Sequence, residues 1–372
     1  MRSVPLTLEV AMDGQKLSTL SHQLAEVLKQ DTRPLVIIVT QMDPDAMGSA
    51  LGLKNHIKNL RPEATIYYCG YISHKQNQTI MNLLDLGHIF LPIAEMPQTS
   101  EFLDSHLFAF VDSSSVDDSR LGQLRGKIIP RIVIDHHHGD FRPKDGDFNW
   151  VEHHVGAAST LLTELWQYEV HGTGKEASPV NPKLSPDVAK LLCLGIYSDT
   201  HNLIAATDRD LAAWIWLRGF INEDDLKPFM RYPLSTSLFE QRILAWKRRV
   251  VKGSILVTNC GYMESQDGDN LSTIADELIR LPEFSQVYVW GIVGNKVRVS
   301  VRTDDVALAL SEHLRRIFGP ASGAKVGKDG VGEGGASIAL ELDHWSMPEA
   351  EREKLAFIKK SLEAKIFRAS RG

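Results

Sequence analysis

Cysteine is scarce in this chain: Cys69, Cys193 and Cys260 are too few and too widely spaced for a disulfide framework or a cysteine-based zinc site, and read as reduced core thiols. Long apolar runs are missing too. No stretch of about 18 residues could span a bilayer, and the opening Met-Arg-Ser-Val-Pro-Leu lacks the apolar centre of a signal peptide. The expectation is a cytoplasmic protein with no membrane partner. Charge of one sign is also scarce. Lys and Arg number 41 against 47 Asp and Glu, and the net −6 argues against bulk binding to long nucleic acid. What is present, 43 % hydrophobic and 24 % charged residues over 372 positions, describes an ordinary globular protein with room for two domains.

From residue 13 to about 200, apolar strands alternate with helical stretches. Leu17 to Lys29 is amphipathic. Leu35-Val36-Ile37-Ile38-Val39 is a β-branched run too short for a helix, of the kind a parallel sheet buries on both faces. Further strands are expected at Thr65 to Tyr68, Leu107 to Val111 and Arg131 to Ile134, with helices near 47–59 and 76–85. The fold class is therefore α/β, with a doubly wound, mostly parallel sheet whose sites lie at the carboxyl ends of its strands. Helices at roughly 208–219, 222–230 and 235–250 read as a connector, with Trp214, Trp216 and Trp246 as core.

A smaller α/β unit follows, with a strand at 254–259, a helix at 270–280, strands at 286–293 and 296–302 and a helix at 305–318. Gly319 to Gly335 reads as a glycine-rich loop and Ser337 to Leu342 as a strand. Ser346 caps a charged helix, 348–367, with Leu355, Ile358, Leu362 and Ile366 on one stripe. Packing within the chain is the reading of that stripe, and a homodimer seam is the alternative. The expected divisions are 1–204 for the first domain, 205–250 for the connector, 251–345 for the second domain and 346–372 for the final helix.

The chemistry begins at Asp43-Pro44-Asp45-Ala46-Met47-Gly48-Ser49, where two carboxylates flank a rigid proline. Such a pair can face two cations, although alone it also suits a helix N-terminus. Phe108-Ala109-Phe110-Val111 runs into Asp112, which by itself could be a turn residue. Asp135-His136-His137-His138, after Arg131-Ile132-Val133-Ile134, is the strongest local signal. Imidazole and carboxylate together suit Mn²⁺, Fe²⁺ or Zn²⁺, and an aspartate accepting the second ring N–H fixes the histidine tautomer. Asp199 ends the apolar helix that Ser185-Pro186-Asp187 opens. A carboxylate there opposes the helix dipole and calls for a positive neighbour.

The order Asp-x-Asp, Asp, Asp-His-His, Asp-Thr, with the spacer Gly156-Ala157-Ala158-Ser159-Thr160, resembles the DHH phosphoesterases. The second domain resembles the DHHA1 type, through Val297-Arg298-Val299-Ser300-Val301-Arg302 and Gly332-Glu333-Gly334-Gly335. The likeness covers roughly 33–345. It implies a DHH domain joined to a DHHA1 domain by a helical connector, and a metal-dependent hydrolase of small nucleotides. The substrates implied are a short oligoribonucleotide, 3′-phosphoadenosine 5′-phosphate or a cyclic dinucleotide. It implies two Mn²⁺ ions, the first on Asp43 and Asp112, the second on Asp45, Asp112, His136 and Asp199. His137 would contact the phosphate or leaving oxygen and Asp135 would orient the histidines. Ser300 and Arg302 would bind a substrate phosphate, and the N–H groups of Gly334 and Gly335 would form an anion nest.

Two positions depart from the family pattern. The histidine that should precede the first Asp is Gln41 with a shortened turn, or Val39 without one, and the histidine after Gly-Gly is Ala336. His138, His153, His154 and His201 stand near the site in sequence and could substitute. Two functional classes follow: a phosphodiesterase or phosphatase working by metal activation of water, and a catalytically weak or inactive relative that binds a nucleotide as sensor or subunit.

Overall fold

Five consecutive apolar residues, Leu35–Val39, are buried on both faces, which only a strand covered on both sides allows. In the computed structural model, which describes residues 14–139, 141–171, 184–326, 330–340 and 348–369, this run is β1 of a six-stranded sheet. The chain forms two units. One runs to Tyr232, and the other comprises the chain from Pro233 with Ser73–Lys75.

The first unit contains α1 (Gly14–Gln30), β1 (Leu35–Val39), α2 (Pro44–His56), β2 (Thr65–Tyr68), α3 (Lys75–Leu83), β3 (Phe90–Pro92) and α4 (Ser100–Ser105). It continues through β4 (Leu107–Val111), β5 (Ile132–Asp135), β6 (Phe148–Val151), α5 (Ala158–His171), α6 (Pro186–Asp199), α7 (Asp208–Leu217) and α8 (Lys227–Met230). The strand order is β3-β2-β1-β4-β5-β6, every pairing parallel. Chain order reverses between β1 and β4, so the segments leaving these two strands part to opposite sides. Ligands of doubly wound sheets bind at such a switch point.

Helix packing then sharpens that edge. A Cβ on Gly48 of α2 would stand 2.7 Å from the Leu191 carbonyl oxygen of α6, and one on Gly195 of α6 would stand 2.9 Å from the Asp45 Cα. Only glycine allows the two helices to approach this closely, and the approach brings Asp45 near the C-terminal end of α6. The central layer is a single apolar cluster that includes Ile37, Val39, Met47, Leu161, Leu165, Trp166 and Leu192.

The second unit contains α9 (Thr236–Arg248), β7 (Val250–Lys252), β8 (Ile255–Met263), α10 (Asn270–Leu278), β9 (Gln286–Val293), β10 (Lys296–Thr303), α11 (Leu310–Phe318), β11 (Ser322–Val326), β12 (Gly332–Ala339) and α12 (Pro348–Ala369). Its sheet runs β11-β12-β10-β9-β8-β7, antiparallel except for β8 with β9. Ile358, Leu362 and Ile366 of α12 are buried in this unit's core and Leu355 packs against it, so the stripe is used within the chain.

Several expectations are corrected. The stretch 205–250 is not a free connector: Ala213, Leu217 and Phe229 join the first unit's core, and Leu238 and Ala245 join a core of the second. Trp214 and Trp216 are partly buried against the first core, but Trp246 is 42 % exposed, with the Arg249 guanidinium 3.8 Å above its ring. The glycine-rich segment is not a loop throughout. It supplies β11 and β12, because Gly332–Ala339 finds partners on both sides, in β10 and β11. The helix expected from 305 begins at Leu310. Ser346, Glu341 and Leu342 lie outside the described residues.

Candidate metal centre

Four segments at the carboxyl edge of the first sheet bring their acidic and imidazole groups together. Asp45, the second residue of α2, is fully buried, and its carboxylate accepts the backbone N–H of Ala158 at 2.7 Å and of Ser159 at 2.8 Å. These are the donors that the start of α5 cannot satisfy within its own helix, and they sit at the positive end of its dipole. Asp112 follows β4 with φ of +55° and donates its backbone N–H to the Ile134 carbonyl at 2.9 Å. Aspartate tolerates this left-handed backbone better than most residues. The turn directs its side chain into the same cluster.

Asp135 ends β5, and its Oδ1 accepts the N–H of His136 at 2.7 Å, the N–H of His137 at 3.1 Å and the His137 Nδ1 at 2.9 Å. That pins the loop and leaves the His137 Nε2 as the ring's second polar atom. The His137 side chain is 44 % exposed, unlike the buried His136. The His136 Nε2 lies 3.4 Å from Asp112 Oδ1, 3.6 Å from Asp45 Oδ2 and 3.6 Å from Asp199 Oδ2. Asp199 is the last residue of α6, so its carboxylate stands at the negative end of that helix, facing the His136 Nε2.

This arrangement is costly without a cation. Burial, and then the charges of Asp45, Asp43, Asp199 and Asp135, push the Asp112 carboxyl well above its ordinary range. Burial, partly offset by the hydrogen bonds from Ser159 and Ala158, raises Asp45 to about 6. Among the described residues, no hydrogen-bond donor meets Asp112 Oδ1 or Asp135 Oδ2. The donor spacing fits an ion. Two atoms bonded to one cation at about 2.1 Å and at the tetrahedral angle stand about 3.4 Å apart, close to the 3.4–3.6 Å around the His136 Nε2. Among the described residues, the groups able to hold a metal are Asp45, His136 and Asp199, and Asp112 with Asp135, His136 and His137.

The other expected site residues fall differently. Asp43 is not among those groups. It is the N-cap of α2, and its Oδ1 accepts the Ala46 N–H at 2.9 Å. Val39 is buried in the core, and the Gln41 Oε1 accepts the Arg120 Nη1 at 2.5 Å. His138 and His153 lie ring to ring at 3.9 Å, with His153 Nδ1 on the His136 carbonyl at 3.2 Å. His154 is exposed and His201 lies on a left-handed turn.

In the second unit, Arg302 is 7 % exposed, and its Nε and Nη2 are bound to the Asp276 carboxylate. Its Nη1 donates to Ser300 Oγ at 3.3 Å and to the Val301 carbonyl at 3.0 Å. The two-pronged partner expected to be a phosphate is therefore Asp276. The expected nest is also absent. Gly334 and Gly335 lie inside β12, paired with Val301 and Ser300 on one side and with Ala324 and Gly323 on the other, and neither has positive φ. A nest needs successive N–H groups facing one point, whereas a ladder turns them alternately to opposite neighbours.

Reasoning from the sequence missed Asp210. Fully buried, it accepts Gly156 N–H at 2.9 and 2.8 Å, Thr160 Oγ1 at 2.5 Å and Thr207 N–H at 2.8 Å. This clamp fixes the turn that presents the Ala158 and Ser159 N–H groups to Asp45. Its trace was the capping pattern Thr207-x-x-Asp210.

Comparison with known proteins decides what the Asp-x-Asp, Asp-His-His order means, because the family model for the DHH family N-terminal domain matches the chain from 35 to 196. Residues 35–196 are a DHH domain. A protein of Methanocaldococcus jannaschii, itself uncharacterized, is 30 % identical over 317 residues, covering 83 % of this chain and 60 % of its own length. A Streptococcus mutans protein named as a probable bifunctional oligoribonuclease and PAP phosphatase is 31 % identical over 187 residues, covering 49 % of each chain. This chain thus spans about half to three fifths of the length of these curated relatives. Among solved structures, an exopolyphosphatase-related protein from Bacteroides fragilis shares the fold, with a TM-score of 0.60 at 13 % identity, covering 95 % of this chain and 98 % of that one. The DHH domain thus places the chain among relatives of phosphoesterases, with the carboxylate and imidazole cluster at the carboxyl edge of its sheet. No helix among the described residues is long and apolar enough to cross a membrane.

Proposed function

We propose that the chain is a metal-dependent phosphodiesterase or phosphatase acting on a small nucleotide. The observation that carries this is the convergence of Asp45, Asp112 and Asp199 on the His136 Nε2 at 3.4–3.6 Å, at the switch point of the DHH sheet. Three buried or partly buried carboxylates around one imidazole suit a divalent cation of the Mn²⁺ type. Such an ion would acidify a bound water and polarise a phosphoryl oxygen. The chain's own groups supply the rest. Asp135 fixes the His137 ring through Nδ1, leaving Nε2 to hold a proton at the leaving oxygen. Asp45, tied to the N-terminus of α5, keeps its oxygens in place without help from solvent.

A short oligoribonucleotide, 3′-phosphoadenosine 5′-phosphate or a cyclic dinucleotide is the substrate class, in keeping with the named activity of the Streptococcus mutans relative. The test is hydrolysis of a diribonucleotide, 3′-phosphoadenosine 5′-phosphate and cyclic di-adenylate with added Mn²⁺. Turnover of at least one is expected, with loss on chelation and in Asp112→Asn. Activity unchanged after exhaustive chelation would sink the reading.

A further inference from the structure

The second unit carries a cavity whose charged lining residues are all cations. It lies between the last turns of α11 and α12, has a volume of about 410 Å³, and is lined by Arg316, Ile317, Lys365, Arg368 and Ala369. Basic residues at such a place ordinarily offset the negative ends of helix dipoles. The magnitudes do not match that role here. Two helix C-termini supply about half a negative charge each, about one together, against the positive charges of Arg316, Lys365 and Arg368. Side chains do not make up the difference. In the turn before Lys365 and Arg368, the other neighbours on the same face are Ser361, Leu362 and Ala364, none of them acidic. Glu363 is paired with Lys359 at 3.8 Å, and Glu312, one turn before Arg316, lines a different cavity. Lys365 and Arg368 are exposed and have no ion-pair partner among the described residues.

Arg316 is set in place from behind. Its Nη2 donates to the Ala369 carbonyl at 2.8 Å and lies 3.4 Å from the His313 Nδ1. His313 is buried, and burial followed by the Arg316 charge lowers its pKa, so the ring stands neutral at pH 7 with Nδ1 as acceptor. Its Nε2 then carries the proton that faces the Tyr288 hydroxyl at 3.0 Å, and Tyr288 donates to Gln286 Oε1 at 3.1 Å. The guanidinium is thereby tied to the sheet, yet none of these partners is charged. That separates it from Arg302, whose charge Asp276 offsets. The Nε and Nη1 of Arg316 have no partner among the described residues. Planar guanidinium forks match phosphoryl oxygens in pairs, and an ammonium serves beside them as a point charge. Two guanidiniums, one ammonium and an unbalanced charge of about +2 suit an anion with at least two charges and several equivalent oxygens.

We propose that the cavity between α11 and α12 is a phosphate-chain site, lined by Arg316, Lys365 and Arg368, that takes a small di- or polyphosphate anion, free or as the phosphate chain of a nucleotide. It uses none of the residues of the metal-dependent reading and stands or falls apart from it.

The test is calorimetric titration of the full chain with inorganic pyrophosphate, with chelator present and at low ionic strength, where screening is weakest. Chelator leaves the metal cluster acidic, so that cluster does not draw the probe. The parent should bind one pyrophosphate per chain, and the double change Lys365→Met with Arg368→Met should weaken binding about tenfold or more. Arg368→Met alone should fall between the two. Both side chains are exposed, so neither change strips a buried partner, and thermal melts check the fold. ADP is titrated in parallel to separate the sources of the phosphate chain. Equal affinities assign the site to the chain of phosphates itself, tighter binding of ADP adds the nucleoside to what is held, and weaker binding confines the site to the free anion. No pyrophosphate binding by the parent overturns the proposal. So does an affinity that differs less than twofold between the parent and the variants, because the anion is then held elsewhere.

Discussion

At the edge of the first sheet, acidic groups gather with too few hydrogen bonds, whereas in the second unit Arg302 is surrounded by acceptors that take four of its five N–H donors. Asp112 Oδ1 and Asp135 Oδ2 are buried without a donor among the described residues. Arg302, equally buried, spends its fork on Asp276, Ser300 and the Val301 carbonyl. Burial of charge is common to both and so does not distinguish them. What differs is whether the protein supplies the counter-charge. An anionic cluster left short of partners holds free energy that an external cation can release, while a saturated ion pair has little left to offer a ligand.

The largest effect that contrast predicts is at Asp112. Asp112→Asn removes one of the crowded negative charges, so the metal-free variant should melt at a higher temperature than the metal-free parent. The same change should abolish stabilisation by Mn²⁺, which in the parent would amount to about 2.7 kcal/mol at a hundredfold excess over Kd. Thermal scans with chelator and with Mn²⁺ read both effects. If Mn²⁺ still raises the variant's melting temperature as much as the parent's, the cluster is not the binding site.

Asp210 comes next. Asp210→Ala leaves the Gly156 N–H and the Thr160 and Thr207 hydroxyls without their common acceptor in a fully buried place. The expected cost is about 3 kcal/mol. Because the clamp also sets the turn leading to Ala158 and Ser159, Mn²⁺ affinity should fall with it. Urea denaturation and Mn²⁺ titration check the two parts, and a loss of stability with unaltered Mn²⁺ affinity would confine Asp210 to a structural role.

A third effect is set by pH. His56 is wholly buried, edge-on to Trp166 at 5.2 Å, with neither ring nitrogen hydrogen-bonded among the described residues. Burial lowers its pKa from 6.5 to about 3. Above pH 6.5 neither the folded nor the unfolded chain carries this proton, and stability is at its full value. Between 6.5 and about 3 the unfolded chain binds it and the folded one does not, so stability drains as pH falls, by at most about 1.4 kcal/mol per pH unit. His56→Leu should flatten that part of the profile. An unchanged acid slope in the variant would show that other groups govern it.

These outcomes bear on how much was legible in the sequence. The central strands were, because Leu35–Val39, Thr65–Tyr68 and Leu107–Val111 are runs that only a sheet can use. The acidic and imidazole residues were legible as types, since each stands just past such a run or at a helix end. Their satisfaction was not. That Arg302 is held by Asp276, 26 residues earlier, and that Arg120 reaches Gln41, 79 residues away, are facts of tertiary packing with no local trace. Glycine misled in the other direction. Gly334 and Gly335 suggested a loop because glycine disfavours strands, yet here it is required by close packing: a Cβ on Gly334 would stand 2.4 Å from Leu314 Cδ1 of α11.

The smallest effect is the one that most sharpens the contrast. Asp276 has a side chain 55 % exposed, against 9 % for its partner Arg302, so water screens the pair from one side. Asp276→Asn should therefore cost about 1 kcal/mol or less, the scale of a partly exposed ion pair, because the amide oxygen can still accept from the guanidinium. It should leave Mn²⁺ binding untouched. Arg302→Met is the harsher partner change, since it also strips Ser300 Oγ and the Val301 carbonyl of a donor, and its cost should exceed that of Asp276→Asn. Chemical denaturation ranks the two, and Mn²⁺ titration tests independence from the DHH cluster. If Asp276→Asn lowers Mn²⁺ affinity as far as Asp112→Asn does, the saturated pair belongs to the metal chemistry after all, and the division between an open site and a closed one does not hold.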